Sequence, residues 1–176
     1  MELKTSADMT SRLGFFRFLS TVNLLIASFF LFIMLMALLM MPSLTPILIF
    51  ALITGAVVIH SILSLALQKS LVNPEVPLKS NTPGGIKIMG FMAMFYGILL
   101  VTNGWVGLTN LDEMLNQTMK QMPKQQPAPD MATMRSLLRG FLIFFLIHAA
   151  GVIANCALSF SLLRKWQASQ QEKKID

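Results

Sequence analysis

Within its long apolar stretches this chain offers few side chains capable of chemistry, and two histidines lead them. His60 and His148 are the only groups there that titrate near neutral pH. A haem held between them would need both at one depth. His60 lies nine residues from Lys69, and His148 lies nine residues from Arg139 at the opposite end of its own segment. Counted from the centres of their segments, the two fall on opposite sides, roughly 9 Å apart along the membrane normal. No shared haem is expected. A neutral histidine hydrogen-bonded across helices fits better.

Three residues share one offset. His60 is nine residues from Lys69, Tyr96 nine from Lys87 and Asn155 nine from Arg164, with Asn23 somewhat nearer the same end. If their faces converge, His60, Tyr96, Asn155 and Asn23 form one buried polar layer. Such a layer fixes helix register or lines a small pocket. Interior Asp, Glu, Lys and Arg are missing from these segments, which disfavours ion-coupled transport and membrane-embedded acid–base hydrolysis. HExxH, GxSxG and phosphate-cradling glycine loops are also missing. The outer methionines Met114, Met119, Met122, Met131 and Met134 are of the type that binds Cu(I), but methionine recurs along the whole chain, so an apolar helix face explains them. No catalytic residue, metal or cofactor is therefore assigned.

The elements that must position these groups follow from charge spacing. Between Arg17 and Lys69 there is no charge, and the run breaks only at Met41-Pro42-Ser43-Leu44-Thr45-Pro46. Lys87 and Asp112 bracket a third window and Arg139 and Arg164 a fourth, each of 24 residues. At about 1.5 Å per residue, 24 residues cross a hydrocarbon core of roughly 30 Å. Hydrophobic residues make up 55% of the chain and charged residues 12%, half the usual soluble share of roughly a quarter. The sequence predicts an all-α integral membrane protein: four transmembrane helices in a compact antiparallel, left-handed bundle. The spans fall at 18–41, 46–68, 88–109 and 137–163. The first reads as a signal anchor rather than a cleaved leader.

Between the spans lie an N-terminal segment 1–17, an inner loop 69–87, an outer segment 110–136 and a tail 164–176. The inner loop carries Pro74, Pro77, Pro83, Gly84 and Gly85 and reads as irregular and extended. In the outer segment Leu111, Met114, Leu115, Met119 and Met122 recur at helical spacing, which predicts a short amphipathic helix ended by Pro123. Asp130 is placed to cap the fourth helix. Ten basic residues flank the spans on the side of the termini and four on the other. The positive-inside rule then puts both termini in the cytoplasm, in a bacterial inner or plasma membrane. The +6 net charge serves headgroups and orientation rather than nucleic acid.

Each span also carries small and polar residues at spacings of three and four. These are Ser20, Asn23, Ala27 and Ala37; Thr54, Ser61, Ser64 and Gln68; Gly90, Ala93, Gly97 and Gly104; and Ala150, Ala154, Ala157 and Ser161. In lipid, close approach and interhelical hydrogen bonds drive association, so these stripes are expected to face inward. The Gly90, Ala93, Gly97, Gly104 seam is the most regular. A short first outer loop and longer second one is also the layout of tetraspanins, but their outer cysteines are absent and no family is assigned. The expectation is a non-enzymatic accessory or structural subunit of a larger membrane complex, acting through helix–helix contact with other subunits or itself. A small oligomeric channel or transporter is the alternative, and a membrane redox or lipid enzyme the third reading.

Overall fold

The computed structural model describes residues 2–40, 45–73, 75–121 and 130–172. They form five helices: α1 (Glu2–Met40), α2 (Thr45–Val72), α3 (Thr82–Thr109), α4 (Leu111–Gln121) and α5 (Met131–Glu172). Four of these, all but α4, are long and apolar enough to cross a membrane. The Met41-Pro42-Ser43-Leu44 stretch between α1 and α2 lies outside the described residues, as does Met122.

Helix outlasts the apolar windows. α1 is helical from Glu2, through the segment 1–17 expected to stand apart, and α5 runs through Arg164 and Lys165 to Glu172. A charge ends a membrane window without ending backbone hydrogen bonding. The 42 residues of α5 extend about 63 Å, twice a hydrocarbon core. The inner loop is correspondingly shorter than expected. Pro83, Gly84 and Gly85 belong to the first turn of α3, where the Asn81 carbonyl accepts from the Gly85 N–H at 3.0 Å. Proline is tolerated there because first-turn N–H groups have no partner within the helix.

The chain divides into two compact units, residues 1–96 with 151–176 and residues 97–150. In the first, cross-contacts fix helix directions. Gln68 on α2 bonds the Leu13 carbonyl on α1, whereas Thr54 on α2 meets the Met34 sulfur, so the two helices run antiparallel. α2 meets α3 at Thr54–Tyr96 and at Leu63–Gly85, again antiparallel. α2 and α5 run parallel, since His60 meets Ser159 and Ser70 meets Trp166. An apolar cluster of Phe16, Leu67, Ile86, Leu162 and Leu163 closes one end of this unit.

The second unit holds the rest of α3, α4 and the start of α5. Gly104 faces Leu146 and Gly107 faces Leu142, an antiparallel pairing. α4 is amphipathic as expected, with Leu115 only 2% exposed and Asp112, Glu113 and Lys120 outward. Asp130 caps α5: its carboxylate accepts from the Ala132 and Thr133 N–H groups at 3.3 and 3.0 Å and from the Thr133 hydroxyl at 2.7 Å. These donors hold the Asp130 carboxyl below its ordinary value near 3.8, the Thr133 hydroxyl contributing most.

Candidate functional site

The stripes on α1, α2 and α3 point inward. Ser20, Asn23 and Ala27 are buried, as are Thr54, Ser61, Ser64 and Gln68, and all of Gly90, Ala93, Gly97 and Gly104. Ala37 is half-buried. The α5 stripe is a correction. Ala150, Ala157 and Ser161 are exposed and Ala154 half-buried, while Val152, Asn155, Cys156, Ser159 and Leu162 take the inner face. Small size permits close packing, but it does not mark the inside when the surroundings are as apolar as the protein. Hydrogen-bonding side chains mark it better, because an unpaired polar group in hydrocarbon is costly.

In the first unit α5 presents Gly151, Asn155 and Ser159 on successive turns. The Ser20 hydroxyl donates to Asn155 Oδ1 at 2.8 Å. One turn away, Asn23 Nδ2 donates to the Gly151 carbonyl at 3.2 Å. A Cβ on Gly151 would sit 3.4 Å from Asn23 Oδ1, an ordinary van der Waals contact, so the bond does not depend on a glycine there. His60 Nε2 lies 3.2 Å from the Ser159 hydroxyl and 3.4 Å from that of Ser64. Tyr96 shares a hydrogen bond with Thr54.

The four expected layer residues are thus all buried, at 1–3% exposure, and each takes a different partner. α5 joins three of them: Ser159, which holds His60, is one turn from Asn155, about 6 Å along the helix. Ser159 itself was not singled out from the sequence. Its position four residues after Asn155 was the available signal.

Ser159 and His60 are of the types that form a nucleophile and its base, but the geometry does not activate the serine. The Ser159 hydroxyl donates to the Cys156 carbonyl at 2.8 Å, and both residues are buried. The Ile86 backbone also approaches the imidazole, while Nδ1 itself closes no well-aligned hydrogen bond. Among the described residues no group of three or more His, Cys, Asp or Glu is placed to hold a metal ion. What the arrangement does is join α1, α2, α3 and α5 by side-chain bonds.

Glycine contacts complement those bonds. A Cβ on Gly90 would come within 2.7 Å of the Phe160 ring and 3.0 Å of His60, and one on Gly104 within 2.9 Å of Leu146. Gly107, missed from the sequence, plays the same part against Leu142 at 2.9 Å. His148 is buried in the second unit. Met114 and Met131 are exposed and Met119 half-buried. No protein family, curated protein or solved structure matches this chain.

Proposed function

We propose that the protein is a non-enzymatic membrane subunit that works by helix–helix contact within a larger assembly. The outward stripe on α5 carries this reading: Ala150, Ala157 and Ser161 are exposed, with Ala154 between them. Spaced four, three and four apart, they offer a groove in which another helix can approach closely, as lipid-embedded association requires. Among the described residues, buried Ser20, Asn23, Gln68, Asn155 and Ser159 are each committed to a partner on another helix, which suits a scaffold better than a catalyst. Large apolar side chains such as Phe29, Phe32, Phe91 and Phe95 cover much of the remaining helix surface and suit contact with a bilayer. We further infer a left-handed antiparallel bundle with both termini cytoplasmic, supported by the ten-to-four basic asymmetry.

Purification in mild detergent followed by mass spectrometry tests the assignment. A stoichiometric membrane partner, lost on Ala157→Leu while the melting temperature is kept, supports it. A homo-oligomer that conducts in liposomes would instead establish the pore alternative, which the exposed Thr102 and Asn103 on α3 favour. Cysteines introduced by Gln125→Cys and Gln171→Cys should react with an impermeant reagent from opposite sides. Labelling of both from one side sinks the four-span topology.

A further inference from the structure

The second unit contains a cavity of about 940 Å³ between the α3–α4 corner and the first turns of α5. Its charged lining is two arginines and two carboxylates, Arg135, Arg139, Asp112 and Glu113. Arg135 is already engaged, its guanidinium paired with Asp112. That leaves Arg139, which forms no ion pair among the described residues, and Glu113, which forms none there either and accepts a 3.4 Å hydrogen bond from Gln117. Net charge around the cavity is zero, with one cation and one anion open to a ligand. A purely anionic guest would meet Glu113 unfavourably. One that carries both signs matches.

The surroundings narrow the guest further. Asp112 and Arg139 are the charges that end the apolar windows of α3 and α5. The cavity therefore lies where polar headgroups meet hydrocarbon in a spanning chain. Along α5 the polar lining residues Arg135, Ser136 and Arg139 are followed by Ile143, one turn below Arg139. Ile143 and then Ile147 continue the same face of α5, 41% and 67% exposed. A headgroup at Arg139 would have a ready track for its acyl chain.

We propose that this cavity binds a zwitterionic glycerophospholipid. Its phosphate pairs with Arg139, assisted by the Ser136 hydroxyl, and its ammonium turns toward Glu113. Arginine suits the phosphate because its planar fork donates two parallel hydrogen bonds. The Arg135–Asp112 pair ties α4 to α5 at the cavity wall. The site requires the chain to span a membrane but not to be a subunit. A chain that stays monodisperse without detergent would refute the membrane reading, separately from the lipid.

The full chain in detergent, mixed with equimolar phosphatidylethanolamine and phosphatidylglycerol, gives the test by native mass spectrometry. Preferential retention of phosphatidylethanolamine is expected. Arg139→Gln should lower it about tenfold, the size of one lost charge-assisted bond, while Arg164→Gln leaves it unchanged. Glu113→Gln, on an exposed residue of α4, should erase the preference between the lipids. Equal retention of both lipids by the unaltered protein overturns the proposal, as does unchanged retention in Arg139→Gln. Soluble glycerophosphoethanolamine displacing the lipid at matched concentration overturns the lipid as the source.

Discussion

The two units hold their helices together differently. In the first, side chains bond across helices: Ser20 to Asn155, Asn23 to Gly151, His60 to Ser159, Tyr96 to Thr54, Gln68 to Leu13 and Trp166 to Ser70. In the second, Thr102, Asn103, Thr109 and Thr118 all bond a carbonyl of their own helix three or four residues back. Contact there comes through Gly104 and Gly107 against leucines, with an exposed ion pair at the margin. Such a pair is worth about 0–1 kcal/mol. One unit is joined by directional bonds that specify register. The other relies on close approach and, the Arg135–Asp112 pair apart, turns the threonines and the asparagine just named back on their own helices.

Substitution can break that contrast. The largest effect is expected from Gly90→Leu, which drives a branched side chain into Phe160 and His60. Overpacking of this kind costs about 1–3 kcal/mol. Gly140→Leu, where a Cβ meets nothing within 4 Å, should leave the detergent melting temperature almost unmoved. Equal melting temperatures for the two variants would mean that the Gly90 contact carries no packing energy.

Next come two asparagines on either side of the contrast. Asn155→Ala leaves buried Ser20 without its acceptor and should cost about 1–2 kcal/mol. Asn103→Ala removes only a bond within its own helix at an exposed site and should stay within about 0.5 kcal/mol. Chemical denaturation in mixed micelles reads both. A double-mutant cycle then sharpens the assignment. Ser20→Ala with Asn155→Ala should be non-additive by about 0.5–1.5 kcal/mol, because the two are in contact. His60→Ala with Asn155→Ala measures whether α5 couples the separate pairs into one layer. Strict additivity there would make them independent.

The smallest effect is at the cap of α5. Asp130→Ala should speed hydrogen exchange at Ala132 and Thr133 and leave the rest of the chain unchanged. The same loss should follow acidification. Because the folded Asp130 carboxyl titrates below its ordinary value, the cap contributes fully above the unfolded value near 3.8. It is lost as pH falls through the lower folded value. Protection that persists in strong acid would show that the carboxylate is not the cap.

Much of this arrangement was legible from residue types. Charge spacing located four apolar helices, and equal offsets from terminal charges picked out His60, Tyr96 and Asn155, all of which are buried. Asp130 and the α4 face were readable because capping and amphipathicity depend on neighbours in sequence. The α5 face was not. Alanines at 150, 154 and 157 recur at helical spacing like the glycines of α3, yet Ala150 and Ala157 turn outward and Ala154 is only half-buried. Asn103 is as polar as Asn155, yet it folds back on its own helix. In both cases the deciding factor is the opposing helix, which local sequence does not encode. The pairing of each buried residue was hidden for the same reason.

The placement of the two indoles gives each unit its own optical reporter. Trp105 belongs to the second unit and is 66% exposed, on a helix face otherwise carrying Val101 and Ile98. Trp166 belongs to the first, half-buried, with its Nε1–H donated to Ser70 at 3.1 Å. Fluorescence of a Trp105→Phe variant would therefore follow the polar-bonded helices alone. In a Trp166→Phe variant, quenching by lipids brominated at successive carbons would measure how deep the other unit's indole sits.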